Sequence, residues 1–156
     1  MKQSSDMRKL EEVLRSSNSA VSGFMGTDRR SISEIIDGDM SELAELKVAV
    51  EEIVGRMKEI TDAAVPALGC WVQAAGNLEA KAEEVKGEVS CPWPDSEEFA
   101  KRVIYARNTK SGQSMKWSEL NIHLIEKHNF FEGRGAMFRI EPKELVKMLF
   151  ERREEK

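Results

Sequence analysis

The residues of this chain most able to do chemistry are its two histidines and one of its two cysteines. These are His123, His128 and Cys91. Thiolate sulfur and imidazole nitrogen are ligands that zinc prefers, and a carboxylate from Asp95 or Glu132 would complete a set of four. One alternative is therefore a site with zinc as cofactor, which would serve an enzyme or stabilise a module.

The spacing of the two histidines makes it harder for them to bind one zinc ion. His123 and His128 are five positions apart, which corresponds to about 140° around a continuous helix. A shared metal would then require the helix to end before His128. The spacing also differs from the four-residue spacing of zinc-protease helices. The other interpretation makes His128 a packed residue near a helix end, where the dipole favours its charged form.

A second feature is Gly133-Arg134-Gly135, the only Gly-Arg-Gly in the chain. Glycines on both sides of an arginine allow successive backbone amides to point into one concavity, which binds anions. The guanidinium of Arg134 would add a bidentate contact to a phosphate or carboxylate. Further ligand-binding candidates are Lys116, Glu132 and Arg139. The alternative is a tight turn that precedes a strand.

Charge is distributed unevenly along the chain. Residues 1–98 hold 11 Lys and Arg against 20 Asp and Glu, a net charge of −9. Residues 99–156 hold 13 against 8, a net charge of +5. The two halves can attract each other, or the basic half can face an anionic partner.

Nucleic acid is one such partner, because phosphate contacts and base stacking require basic and aromatic side chains together. The candidates are Arg102, Tyr105, Arg107, Lys110, Lys116, Trp117, Arg134, Phe138 and Arg139. Catalysis has less support, since the sequence does not demonstrate a nucleophile beside a base. We therefore expect a non-enzymatic binding or regulatory protein that recognises an anionic ligand or protein through its C-terminal part.

Helices are predicted for most of the N-terminal part. Residues 1–30 are weakly patterned, with a short helix over 6–15. Ser31 and Glu34 form a capping-box pattern for a helix over 32–37. Gly38 would end that helix, and Asp39 would cap a long one over 40–65. The long helix carries a heptad pattern in which Leu43, Val50, Ile53, Met57 and Ile60 take part.

The predicted fold class is α+β, with two lobes. A second helix over 67–86 would pair antiparallel with the long helix and complete an acidic helical lobe over 31–89. Residues 90–98 would form a Cys-Pro-Trp-Pro connector, because two prolines exclude a helix interior. Residues 99–156 would form a basic β-β-α-β-α lobe. Its strands are predicted at 99–107, 114–117 and 136–140, and its helices at 118–127 and 142–153.

The remaining expectations concern assembly and location. The apolar face of the long helix is wider than one neighbouring helix can cover, so we expect a homo-oligomer, most simply a dimer. No segment approaches the roughly 20 apolar residues that cross a membrane. The N-terminal residues lack an apolar signal core, and two cysteines do not form a disulfide framework. We therefore expect a cytoplasmic protein.

Overall fold

The computed structural model describes residues 5–16, 23–95 and 97–150, and it has the α+β fold class that the sequence predicts. The helices are α1 (Ser5–Ser16), α2 (Ile32–Leu46), α3 (Val50–Ala64), α4 (Glu119–His128) and α5 (Pro142–Phe150), and a 3-10 turn (Val65–Ala67) follows α3. The strands are β1 (Val72–Ala75), β2 (Leu78–Glu83), β3 (Glu88–Ser90), β4 (Glu98–Ala100), β5 (Val103–Asn108) and β6 (Ser114–Ser118).

Four of these strands form one antiparallel sheet in the order β1-β2-β5-β6. Strand β2 pairs with β5 from Leu78 opposite Asn108 to Glu83 opposite Val103. The sheet therefore joins residues from both sides of the connector predicted at 90–98. Strands β3 and β4 lie at the two ends of that stretch and form a separate two-stranded hairpin.

The larger hydrophobic core lies between this sheet and the helices α2, α3 and α5. Trp117 on β6 is fully buried there, and its indole Nε1 donates a hydrogen bond to Thr61 Oγ1 over 3.0 Å. A buried indole N–H needs such a partner because it has lost its hydration. The apolar face that led us to expect a dimer is thus covered by the sheet within one chain, although the oligomeric state stays a prediction.

A second core joins the N-terminal segment to α4. It contains Leu14 of α1, Phe24 and Met25 of the following loop, Ile32 and Ile35 of α2, and Leu120 and Leu124 of α4. Cys91 and Phe130 belong to the same cluster. This core therefore holds the candidate metal ligands on a fixed support.

The first predicted helix boundary is confirmed and the second is wrong. Ser31 Oγ accepts from the Glu34 amide and the Glu34 carboxylate accepts from the Ser31 amide, as the capping box requires. Asp39, however, lies inside α2 and caps nothing. Its carboxylate binds the guanidinium of Arg139, at 2.7 and 3.0 Å. The role of Asp39 is therefore a long-range ion pair, which the neighbouring residues in the sequence do not indicate.

The predicted long helix over 40–65 is two helices. Lys47 adopts a left-handed conformation that ends α2, and the Glu52 side chain accepts from the Ala49 amide at the start of α3. Leu43, Ile53 and Met57 of the heptad pattern are nevertheless buried in the core. The heptad pattern predicted the buried face correctly, but it did not indicate that the helix is interrupted between Leu46 and Val50.

The helix predicted over 67–86 is wrong, because these residues form β1 and β2. Pro66 lies in the 3-10 turn after α3, and Gly76 turns the chain between the strands with a positive φ of 52°. Burial alternates along β2, where Leu78, Ala80 and Ala82 face the core. The predicted antiparallel pair of N-terminal helices therefore does not exist.

The C-terminal part also departs from the prediction in two places. The strand expected at 99–107 is divided into β4 and β5. Residues 136–140 form turns rather than a third strand, and the Ile140 amide donates to the carbonyl of Phe131. The order in this part is consequently β-β-β-α-α. The hairpin of β5 and β6 and the helices α4 and α5 follow the expected positions. Residues 151–153 of the last predicted helix lie outside the described residues.

Candidate metal centre

Two of the candidate ligands lie in the loop between β3 and β4. The Cys91 amide donates to the Glu97 carbonyl over 2.7 Å, which closes this loop directly after β3. Pro92, Trp93 and Pro94 fill the turn, and Asp95 follows them. The prolines restrict the backbone, so the thiol and the carboxylate are held on a short, stiff loop.

The two histidines are presented by α4. Ser118 caps this helix, since its hydroxyl accepts from the Asn121 amide and the Asn121 side chain accepts from the Ser118 amide. Asn129 ends the helix in a left-handed conformation, with a φ of 55°. His128 is the last residue of the helix, so the helix does not end before it, as we argued a shared metal would require. The imidazoles of His123 and His128 still meet, with ring centroids 5.4 Å apart.

The loop and the helix bring four potential ligand atoms together. Asp95 Oδ2 lies 2.9 Å from His123 Nε2 and 2.9 Å from His128 Nε2. Cys91 Sγ lies 3.6 Å from His128 Nε2. All four ligand atoms fall within 4.8 Å of one another. Asp95, rather than Glu132, is the carboxylate that joins Cys91 and the histidines.

The orientation of Asp95 is fixed by its own loop. The Glu97 amide donates to Asp95 Oδ1 over 3.3 Å, which directs the other oxygen, Oδ2, to the histidines. Burial by itself would raise the pKa of Asp95. Hydrogen bonds from Cys91, His128 and His123 more than offset this effect and hold the pKa well below its usual range. The carboxylate is therefore ionised and able to bind a cation.

Aromatic rings enclose the histidines. The indole of Trp93 stacks on His128, and the ring of Phe99 lies 4.9 Å from His123. The His123 and His128 side chains are only 6 % and 14 % exposed, whereas that of Asp95 is 30 % exposed. The cluster is thus shielded from water except on the Asp95 side.

Burial also sets the protonation of the nitrogen and sulfur ligands. It lowers the pKa of His128 despite the neighbouring Asp95, which favours the neutral imidazole that binds metals. Burial and the nearby carboxylates raise the pKa of the Cys91 thiol to about 12. This thiol is therefore a poor free nucleophile, and only a strong positive charge beside it would stabilise the thiolate.

The Gly133–Gly135 loop has internal partners. The Gly133 amide donates to the Phe24 carbonyl, and the Arg134 amide donates to Asp28 Oδ2 over 3.0 Å. A Cβ on Gly133 would lie 2.4 Å from the Met25 carbonyl oxygen. These glycines therefore permit close backbone packing against residues 23–28, and an internal carboxylate occupies part of the predicted anion nest. The Arg134 side chain itself is 63 % exposed and 3.8 Å from Glu141.

The other ligand-binding candidates have partners within the fold, and Arg139 shares the carboxylate of Glu141 with Arg134. The side chain of Arg139 is buried in its ion pairs with Asp39 and Glu141. Lys116 lies over the ring of Phe138. Glu132 is buried beside Asn121. The predicted anion site remains a prediction, but these contacts do not support it.

Several side chains of the basic face proposed to bind nucleic acid are also buried or paired within the chain. Trp117 is buried, and Arg102 forms ion pairs with Glu84 and Glu119. Arg107 pairs with Glu79 and stacks on Trp71 at 3.7 Å. Several basic side chains of the C-terminal half thus bind acidic side chains of the N-terminal half. This agrees with attraction between the two halves.

Comparison of the chain with models of protein families, with curated proteins and with solved structures finds no significant match. Within residues 5–16, 23–95 and 97–150, no helix has the length and apolar character needed to cross a membrane. Cys91, Asp95, His123 and His128, here named the four-ligand cluster, are consequently the residues whose geometry best indicates a function.

Proposed function

We propose that this protein is a zinc-binding module in which the four-ligand cluster holds one Zn²⁺. The observation that carries the proposal is the convergence of one sulfur, two imidazole nitrogens and one carboxylate oxygen from two separate elements. Sulfur and imidazole together favour zinc over magnesium or calcium, which prefer oxygen ligands.

Three of the six distances between the ligand atoms are close to those of a tetrahedral site. Zinc bonds of roughly 2.0 Å to nitrogen or oxygen and 2.3 Å to sulfur separate neighbouring ligand atoms by roughly 3.3 to 3.6 Å. The distance from Cys91 Sγ to His128 Nε2 is 3.6 Å. The two distances from Asp95 Oδ2 to the histidines are 2.9 Å, so the carboxylate would move outward by about 0.4 Å. Asp95 is the exposed residue among the four, so its side chain has room for this small movement.

The number of protein ligands favours a structural zinc over a catalytic one. Four protein donors complete a tetrahedral shell, whereas catalytic zinc keeps one position for water or substrate. The ion would connect the β3–β4 loop to the last two turns of α4. Because β3 and β4 form a hairpin outside the main sheet, a metal link would anchor this hairpin to the rest of the chain.

The zinc content of the purified chain tests the proposal. Protein expressed without a histidine tag and dialysed without chelator is expected to hold one zinc per chain. Cys91→Ser should reduce the zinc content and weaken zinc affinity at least tenfold. The matched control is Cys70→Ser, because Cys70 is exposed and outside the cluster, so this variant should keep one zinc.

Two results would overturn the proposal. One is wild-type protein that is purified without zinc and gains no thermal stability when zinc is added. The other is equal zinc content in Cys91→Ser, Cys70→Ser and the wild type. Either outcome would leave the cluster as a hydrogen-bonded network in which Asp95 accepts from both histidines.

A further inference from the structure

The face of the main sheet that points away from the core carries an open groove of about 960 Å³. Side chains alternate between the two faces of a strand. Tyr105 and Lys116 therefore line this groove, while their neighbours Ile104 and Trp117 are buried in the core. The residues that line the groove include none of the four-ligand cluster, so it is a separate site.

Aromatic rings and ammonium groups alternate across this groove, at right angles to the strands. Tyr105 of β5 lies opposite Lys81 of β2 on one side and opposite Lys116 of β6 on the other. The Nζ atom of Lys81 is 5.7 Å from the centre of the Tyr105 ring and 5.3 Å from that of Trp71, which directly precedes β1. The register of the sheet thus places one row of rings and cations over all four strands.

The guanidinium group of Arg107 forms a second flat surface beside this row. It lies 3.7 Å from the centre of the Trp71 ring, and its Nε and Nη2 atoms donate to Glu79 Oε1 over 3.0 and 2.9 Å. The group is therefore held in one orientation by two neighbours, yet the Arg107 side chain is still 44 % exposed. A fixed guanidinium plane, like an aromatic ring, is a surface on which a nucleobase stacks.

The groove is positively charged in a chain whose net charge is −4. Its charged lining residues are Lys81, Arg107 and Lys116 against Glu79 and Glu83, a net charge of +1. Arg107 neutralises Glu79, and Glu83 lies 3.8 Å from Lys81. The ammonium group of Lys116 lies over the ring of Phe138 rather than beside a carboxylate of the described residues. An anionic ligand is therefore attracted here, although the chain as a whole repels it.

We propose that this groove binds single-stranded nucleic acid. Its bases stack on the ring of Tyr105 and on the guanidinium plane of Arg107, and its phosphates pair with Lys81 and Lys116. A single strand is required because the bases of a duplex stack on one another and cannot lie on protein side chains. An acidic peptide would use the lysines but not the two flat surfaces, so the geometry favours nucleic acid. The site does not depend on zinc.

The test is fluorescence anisotropy of labelled oligonucleotides with the full chain as purified, across a salt series. Single strands of about ten nucleotides, oligo-dT and oligo-U, serve as probes. Tyr105→Leu should weaken their binding about tenfold, because it removes one stacking surface. Tyr105→Phe keeps the ring and should bind like the wild type.

The salt dependence tests the phosphate contacts. Lys116→Gln should reduce the slope of log affinity against log salt by about 0.7, the value for one phosphate contact to a single strand. The matched control is Lys58→Gln, because Lys58 is on α3, which packs on the core side of the sheet, and does not line the groove. This control should leave both the affinity and the slope unchanged.

Single strands that bind more tightly than the matching duplex, with the losses described for Tyr105→Leu and Lys116→Gln, support the proposal. The absence of binding at low salt overturns it, and so does an affinity for duplex equal to that for single strands. Poly-glutamate that binds as tightly as oligo-dT would show that the groove recognises charge alone, which also overturns it. If Tyr105→Leu does not fold, the comparison of single strand with duplex and the slope of Lys116→Gln still decide.

Discussion

The indole of Trp93 lies flat against the imidazole of His128, with ring centroids 4.1 Å apart and an angle of 10° between the planes. Trp93 is in the β3–β4 loop and His128 is the last residue of α4. The stacking therefore joins the two elements that supply the four-ligand cluster. It also makes an indole a direct neighbour of a proposed zinc ligand.

Tryptophan fluorescence should consequently report zinc binding. A metal ion on His128 changes the charge of the ring that contacts Trp93, so adding zinc to chelator-treated protein should change the emission. The change should saturate at one zinc per chain. Trp93→Phe should lose this response, because Trp117 is buried in the other core and Trp71 is near the outer face of the sheet. The variant should still bind zinc, since it keeps all four ligands. A full response in Trp93→Phe would show that the signal arises elsewhere.

Removal of zinc should also lower stability. Binding to the folded state alone stabilises it by about 4 kcal/mol when free zinc exceeds the Kd a thousandfold. For a chain of this size each kcal/mol changes the Tm by roughly 2–4 °C. Chelator should therefore lower the Tm of wild type and Cys70→Ser by roughly 10 °C under such conditions. It should lower the Tm of Cys91→Ser by less, because each tenfold loss of zinc affinity removes about 1.4 kcal/mol of this stabilisation. A chelator effect of the same size in Cys91→Ser would contradict the assignment of this ligand.

The pKa of Glu132 predicts that stability depends on pH. Its pKa rises from an ordinary value of 4.5 to about 8 in the folded chain, so between these values the folded state binds a proton that the unfolded state has released. Stability should therefore fall as the pH rises through this window. Between about pH 6.5 and pH 8.5 the loss should be about 2 kcal/mol.

Urea unfolding of zinc-loaded protein across this pH range measures the effect. Glu132→Gln is the control, since it cannot titrate and every other group is unchanged. Its stability should vary less with pH than that of the wild type. Parallel curves for the two proteins would show that the carboxyl group is not neutral in the folded state.

The ion pair between Arg139 and Asp39 predicts a large mutational effect. Both side chains are almost fully buried, and two hydrogen bonds join them. Burial alone would lower the pKa of Arg139, but Asp39 and Glu141 raise it above its ordinary range. Arg139→Ala should lower the free energy of unfolding by about 3–5 kcal/mol, because it leaves the Asp39 carboxylate buried without its partner.

The exposed arginine of the neighbouring loop is the matched control. Arg134→Ala should change the free energy of unfolding by less than about 0.5 kcal/mol. The double variant of Asp39→Ala and Arg139→Ala should be more stable than the sum of the two single effects predicts, because it buries no unpaired charge. Urea unfolding measures these changes. Similar losses of unfolding free energy in Arg134→Ala and Arg139→Ala would contradict the large effect predicted for the buried ion pair.

Two glycines should respond in opposite directions to alanine. Gly133→Ala introduces a Cβ 2.4 Å from the Met25 carbonyl oxygen, so it should destabilise the chain by about 3 kcal/mol. Gly55→Ala in α3 meets nothing within 4 Å and should stabilise by about 0.5–1 kcal/mol. A neutral Gly133→Ala in thermal unfolding would show that the loops at 25 and 133 are not closely packed.

Local signals in the sequence were sufficient for some elements. Ser31 with Glu34 and Ser118 with Asn121 are capping patterns whose partners lie three residues away, so the sequence contains the whole interaction. The hairpin of β5 and β6 is similar, because its turn residues lie between the strands. The burial of Ile53 and Met57 follows from periodicity alone.

Other elements depend on contacts that the sequence does not display. Asp39 has the position of a helix cap, yet its partner is Arg139, a hundred residues away. The alanine-rich stretch around Ala74 and Ala80 favours a helix locally, but pairing with β5 makes it a sheet. In the cluster, residue type suggested Cys91, His123 and His128, but only the loop closure at Glu97 shows why Asp95 joins them.

X-ray absorption at the zinc edge is the most direct test of the four-ligand cluster. For the purified chain, the proposal predicts four-coordinate zinc with one sulfur at about 2.3 Å and three nitrogen or oxygen atoms at about 2.0–2.2 Å. In Cys91→Ser, the sulfur contribution should disappear, while Cys70→Ser should match the wild type. A wild-type spectrum without sulfur, or one with two or more sulfur ligands, would contradict coordination by Cys91, Asp95, His123 and His128.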